Sequence, residues 1–109
     1  MPNVYKTLGQ VNPAATTLTT AYTVPSATST VVSTMSICNR SGVATTYRFS
    51  VAIAGAADDN KQYVAYDAAI AGNEVKTFTI GMTLAATDVV RVYATLATLS
   101  FVLFGSELT

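Results

Sequence analysis

Histidine is absent from the whole chain, which removes the commonest general base and the commonest metal ligand at once. Tryptophan is absent too, and Cys38 is the one cysteine, so no intramolecular disulfide can staple the fold. Charge is scarce: six basic and six acidic side chains cancel, and together they make up 11% of the residues. Without net positive charge or a Lys/Arg cluster, the counterion release that drives nucleic-acid binding is missing. A polybasic membrane-surface role fails for the same reason. No apolar run is long enough to cross a bilayer: the richest, Val89 to Gly105, is interrupted by Arg91, Thr95, Thr98 and Ser100. The opening residues lack a basic segment followed by an apolar one, so no signal peptide is expected and synthesis in the cytoplasm is.

What is present is β-branched. Threonine and serine make up about a quarter of the 109 residues, and half of the chain is hydrophobic, opposite to the profile of disordered chains. Threonine and valine favour strands over helices. Tyr47, Phe49, Val51 and Ile53 alternate with Thr46, Arg48, Ser50 and Ala52, which predicts a half-buried strand with its odd residues inward. Leu18, Tyr22 and Val24 share one parity, as do Val31, Met35 and Ile37, and Phe78 and Ile80 alternate with polar neighbours. Turn signals at Asn12-Pro13, Val24-Pro25, Asn39 to Gly42, Gly55 to Asn60, Ala71 to Asn73, Gly81 and Ala86 to Asp88 separate these runs. Strands are therefore expected near residues 4–10, 16–24, 29–39, 45–54, 61–67, 74–80, 88–95 and 98–105. The alanine clusters at Asp67–Ala71 and Leu84–Thr87 are too short for helices of consequence. The expected fold is a single all-β domain over residues 1–109, an antiparallel β-sandwich of about eight strands, jelly-roll or Ig-like. Residues 1–15 would form an extended arm or a first edge strand.

Two expected strands are apolar on both sides. Leu99, Phe101 and Leu103 oppose Val102 and Phe104, and Val90 and Val92 oppose Val89 and Tyr93. A strand apolar on both faces must be covered on both, and in a two-layer domain the second cover is another subunit or the chain's own loop or terminal arm. A surface so poor in charge also favours association. Tyr93, Val102 and Phe104 are therefore expected at an interface, together with the N-terminal segment. Tyr63 and Tyr66 are read as packing or interface residues in preference to a sugar platform.

Chemistry finds little to work with. Lys6, Lys61 and Lys76 are the available bases for a Ser or Thr nucleophile, without recognisable spacing. The acids Asp58, Asp59, Asp67, Glu74, Asp88 and Glu107 sit mostly beside turns, where aspartate bonds local backbone. Asp58-Asp59-Asn60 lacks the spacing of a calcium loop. No enzymatic activity, cofactor or metal is expected. Asn39-Arg40-Ser41 matches a glycosylation sequon but reads as a polar turn, with Cys38 beside it as a small buried hydrophobe.

The segment from Tyr22 through Thr23-Val24-Pro25 to Cys38-Asn39-Arg40-Ser41 resembles a pattern found in small virion proteins of tailed bacteriophages. Thr46 to Ala52, Lys61 to Asp67 and Asp88 to Thr95 look like its continuation, in one colinear order from about residue 8 to the end. The resemblance implies a β-sandwich that decorates capsids or sits on tails and baseplates, often as a homotrimer, and it brings no catalytic residue. It makes a virion location and a capsid decoration role the leading expectation, with the major capsid protein or tail proteins as partners. A tail or baseplate component, or a receptor- or carbohydrate-binding module at the tail tip, is the alternative.

Overall fold

A computed structural model describes residues 3–109. Eight strands follow one another along the chain: β1 (Asn3–Val11), β2 (Thr19–Thr23), β3 (Ser29–Asn39), β4 (Thr45–Ala52), β5 (Tyr63–Ile70), β6 (Val75–Leu84), β7 (Val89–Ala94) and β8 (Leu99–Leu108). Short 3₁₀ turns at Ile53–Gly55 and Asn60–Gln62 lie between β4 and β5. Neither alanine cluster is helical: Ala68–Ile70 completes β5, and Leu84 ends β6.

The pairings β1–β8, β2–β7, β3–β6 and β4–β5 are all antiparallel. They describe one long hairpin whose tip is the β4–β5 connection. The hairpin is rolled so that β3 also meets β8 and β4 also meets β7, giving two sheets ordered β1-β8-β3-β6 and β2-β7-β4-β5. Of the two expected topologies, this is the jelly roll. Of the arm and edge-strand alternatives for residues 1–15, Asn3–Val11 takes the edge strand, and Met1 and Pro2 lie outside the described residues.

Between the sheets, Val32, Met35, Ile37, Tyr47, Phe49, Val90, Val92, Leu99, Phe101 and Leu103 are buried. Phe78 packs across onto Phe49, with ring centroids 5.3 Å apart. Tyr47 and Phe49 are inward as expected, but Ile53 is 75% exposed. The strand ends at Ala52 and the chain turns before Ile53 can reach the core.

The expected parity of β3 also fails, for a traceable reason. Val31 is exposed while Val32, Met35 and Ile37 are fully buried, because the register shifts between Val32 and Thr34 against both neighbours. A bulge adds one residue and swaps the side chains beyond it to the other face. Similar shifts occur between Thr7 and Gly9 in β1 and across Ile80–Gly81 in β6, so one kink line crosses the sheet. Gly81, expected as a turn, lies within β6 at φ +62, a left-handed conformation that suits glycine. Gly105 sits on the same line in β8, where a Cβ would collide with the Val31 carbonyl.

At one end of the sandwich a polar clasp joins the sheets. The Tyr22 hydroxyl (β2) donates to the Glu107 carboxylate (β8) and accepts from Thr30 Oγ1 (β3) at 2.8 Å. Lys6 Nζ (β1) lies 2.9 Å from the other Glu107 oxygen. Burial and the Glu107 carboxylate push the Tyr22 phenol up to about 12, while the Tyr22 and Lys6 bonds hold Glu107 below its ordinary range. The Glu107 contribution to stability is thus present at neutral pH and lost as pH falls through the acidic carboxylate range. Tyr22 keeps its proton longer when folded, so its contribution is full below pH 10.0 and disappears toward about pH 12. In urea melts across pH, Tyr22→Phe should shrink the alkaline loss of stability by on the order of 2 kcal/mol. An alkaline arm identical to wild type would contradict the clasp.

Candidate functional site

The two outer faces of the sandwich differ in chemistry. On the β1-β8-β3-β6 sheet, antiparallel register sets Thr7, Phe104, Thr34 and Thr79 in one row. Gln10, Val102, Ser36 and Thr77 form the next, and Tyr5, Ser106, Val31 and Thr83 lie beyond the kink. Directly paired residues point to the same face. Not one strand residue in these rows is charged. Phe104 is 41% and Tyr5 80% exposed, and Val102 is half-buried. Two open recesses run along the β1–β8 seam, one of 480 Å³ lined by Tyr5, Ser33 and Phe104 with Lys6, the partner of Glu107, at its rim, the other of 330 Å³ lined by Gln10, Asn12 and Val102.

The β2-β7-β4-β5 sheet carries aromatic rings and ions instead. Tyr47 opposes Ala68 while Phe49 opposes Ala65, so Tyr66 and Asp67 both fall opposite Arg48. This bulge, with Asp67 at φ 51, brings two consecutive side chains to the same guanidinium, the kind of re-aiming that bulges provide. Arg48 Nε donates to Asp67 Oδ1 at 2.7 Å and Nη2 to Oδ2 at 3.4 Å. The carboxylate raises the affinity of the guanidinium for its proton. The same guanidinium lies 4.0 Å from the Tyr66 centroid and 4.2 Å from that of Tyr93, its cross-strand neighbour. Tyr63 meets Tyr66 edge-on, 5.0 Å between centroids and 89° between planes. Partial burial and the Asp58 carboxylate push the Tyr63 phenol up.

The loop between β4 and β5 folds over this face. Arg91 donates to the Ala56 carbonyl at 2.9 Å, Gln62 Nε2 to the Ala57 carbonyl at 2.8 Å, and Asp59 Oδ1 accepts from the Lys61 amide. Val89, on the outer side of β7, is only 8% exposed, and its side chain approaches the turn at Gly55. At Val89 the second apolar face of β7 is therefore covered by the chain's own loop, as one of the two expectations had it, while Tyr93 lies against the Arg48 guanidinium.

The residues expected at an interface thus divide. Val102 and Phe104 stand on the face with the uncharged rows, where no loop among the described residues covers β8; Tyr63, Tyr66 and Tyr93 belong to the opposite face, around Arg48. Cys38, expected to be buried, is exposed, because it lies in register with Ser100 and Val75 on the outer side. Its neighbour Asn39 takes the buried place instead. Asn39 donates to the carbonyls of Val43 and Ala71 at 2.9 and 3.2 Å and accepts from the Ser41 amide. In the sequence Arg48 stands out only as an outward residue of the clearest alternating run, Asp67 as one of the acids beside turns and Asn60 as part of the Asp58-Asp59-Asn60 turn, and no spacing joins the three to one site.

These features define a jelly-roll domain with one uncharged sheet face and one aromatic, ion-paired face. No protein-family model matches the chain, and no curated protein matches it significantly in sequence.

Proposed function

We propose that this chain is a non-enzymatic structural protein of a tailed-phage virion, a capsid decoration subunit that self-associates and docks on the shell. The observation that carries this reading is the uncovered, uncharged face built around Val102 and Phe104. Four strands about 4.8 Å apart and roughly ten residues long give such a face about 600 Å² in projection. Each partner in a specific complex contributes roughly 800 Å², so this face and its rim are of the right order. An uncharged surface can meet a copy of itself or a capsid protein without like-charge repulsion or the desolvation of ions. Support also comes from the resemblance to small virion proteins, and jelly rolls recur in viral capsid domains, although a fold alone does not assign a function. The resemblance favours three copies per assembly.

The test is to count and locate the chain in purified particles by quantitative mass spectrometry and particle imaging. Hundreds of copies over the head are expected. A handful at one end would replace decoration with a tail or baseplate role, and absence from particles would end the virion reading. Light scattering of the isolated protein should give about 34 kDa, three times the 11.4 kDa of one chain.

A further inference from the structure

The tyrosine face lies on the other side of the sandwich from the assembly face, and it has features that packing alone does not require. Asn60, Tyr63 and Tyr66 line an open groove of 420 Å³. Tyr66 is 55% exposed, yet it is held from two sides, by the Arg48 guanidinium and by the Tyr63 ring. Arg48 is in turn fixed by Asp67 and Tyr93. The Asn60 wall is set by the adjacent Asp59 cap and by the Gln62 and Arg91 bonds to the loop carbonyls. A binding surface whose side chains are already ordered loses little conformational entropy when a ligand arrives.

From this we infer that the groove is a binding site for a neutral saccharide. The chemistry selects the class. Among the described residues no charged side chain lines the groove; Arg48, stacked on Tyr66, is already paired with Asp67, and Lys61 lines a separate recess with Gln62. An anionic ligand would therefore find no free cation in the lining and would face the Asp58 carboxylate that acts on Tyr63, while a cationic one would meet the guanidinium already stacked on Tyr66. What the groove offers is aromatic surface beside a carboxamide and a phenol, which both donate and accept hydrogen bonds. A pyranose has the matching surface, with C–H groups that pack on a ring and hydroxyls that exchange hydrogen bonds. An aliphatic ligand would leave the Asn60 amide unpaired, at a loss in affinity. The site does not rest on the virion reading, and it leaves Val102 and Phe104 free for assembly.

The experiment is a titration of the isotopically labelled full-length chain with neutral oligosaccharides (maltohexaose, cellohexaose, mannohexaose and chitohexaose), followed by amide resonances. Sialyllactose and a heparin hexasaccharide serve as charged counterparts. At least one neutral probe should bind with Kd below about 10 mM and shift Asn60, Tyr63 and Tyr66. Tyr66→Ala should weaken that binding about tenfold or more, and Tyr66→Phe, which keeps the ring, should stay within about threefold. Because Tyr66 is exposed, the alanine variant should keep its melting temperature, and the resonance map of the wild type gives a reading that needs no variant. The inference is overturned if no neutral probe binds in that range, if the shifts map elsewhere, if only charged probes bind, or if Tyr66→Ala binds as wild type.

Discussion

Replacing Phe104 with aspartate is expected to abolish self-association while leaving the folded monomer intact. Phe104 is 41% exposed in the single chain, flanked in register by Thr7 and Thr34, so a carboxylate there remains hydrated in the monomer. In the assembly the same carboxylate would be buried among uncharged side chains with no partner. Losing the ring forfeits about 2 kcal/mol of apolar burial, and an unpaired buried ion adds several kcal/mol. Association should weaken by roughly a thousandfold or more. In light scattering over a dilution series, the variant should stay at the 11.4 kDa of one chain where wild type is oligomeric. Assembly itself raises apparent stability, so melting temperatures should be compared at dilutions where wild type also dissociates; there they should agree within about 4 °C. Because the proposed contact is uncharged, wild-type assembly should change little with salt. A variant that assembles at wild-type concentration would remove Phe104 and its face from the interface.

The strand pattern was legible because each strand repeats its message. The run Ser29–Asn39 has the bounds expected from its alternation and flanking turns, and the eight-strand sandwich follows from several such runs. Alternation says which residues share a face only until a bulge intervenes. Val31 and Val32 are adjacent valines, and sequence alone favoured the one in step with Met35. The extra residue at Ser33 reverses that choice, and it arises from the fit of β3 to two neighbours far away in sequence. Gly81 carries the same ambiguity, since a glycine at positive φ serves a turn and a bulge equally well.

The two apolar-on-both-sides strands show where local reading stops. Val89 and Phe104 gave the same signal, a hydrophobe on the face turned away from the core. The difference lies in the loop between β4 and β5, which the Arg91 bonds hold against the outer side of β7 and which has no counterpart over β8 among the described residues. The Tyr66–Arg48–Tyr93 stack was hidden for a related reason. It depends on the bulge in β5 that turns Tyr66 and Asp67 toward the same guanidinium, and nothing in the spacing of Tyr63 and Tyr66 reveals it.

Three residues before Phe104 on the same strand, Phe101 should behave in the opposite way. It is fully buried on the inner side of β8, in register with Ile37 on β3 and Val11 on β1. Both neighbouring strands hold its site open, so Phe101→Ala leaves a cavity that can collapse only in part. Such truncations cost about 3–5 kcal/mol, against roughly 5–15 kcal/mol for the whole stability of a domain. The melting temperature should fall on the order of 15–30 °C, with the urea midpoint lowered and its slope unchanged. The variant should lose assembly only in proportion to its loss of folded chain, whereas Phe104→Asp loses assembly with the fold retained. Were Phe101→Ala to melt within a few degrees of wild type while Phe104→Asp unfolded, the inner and outer sides of β8 would have to be exchanged, and with them the face on which assembly depends.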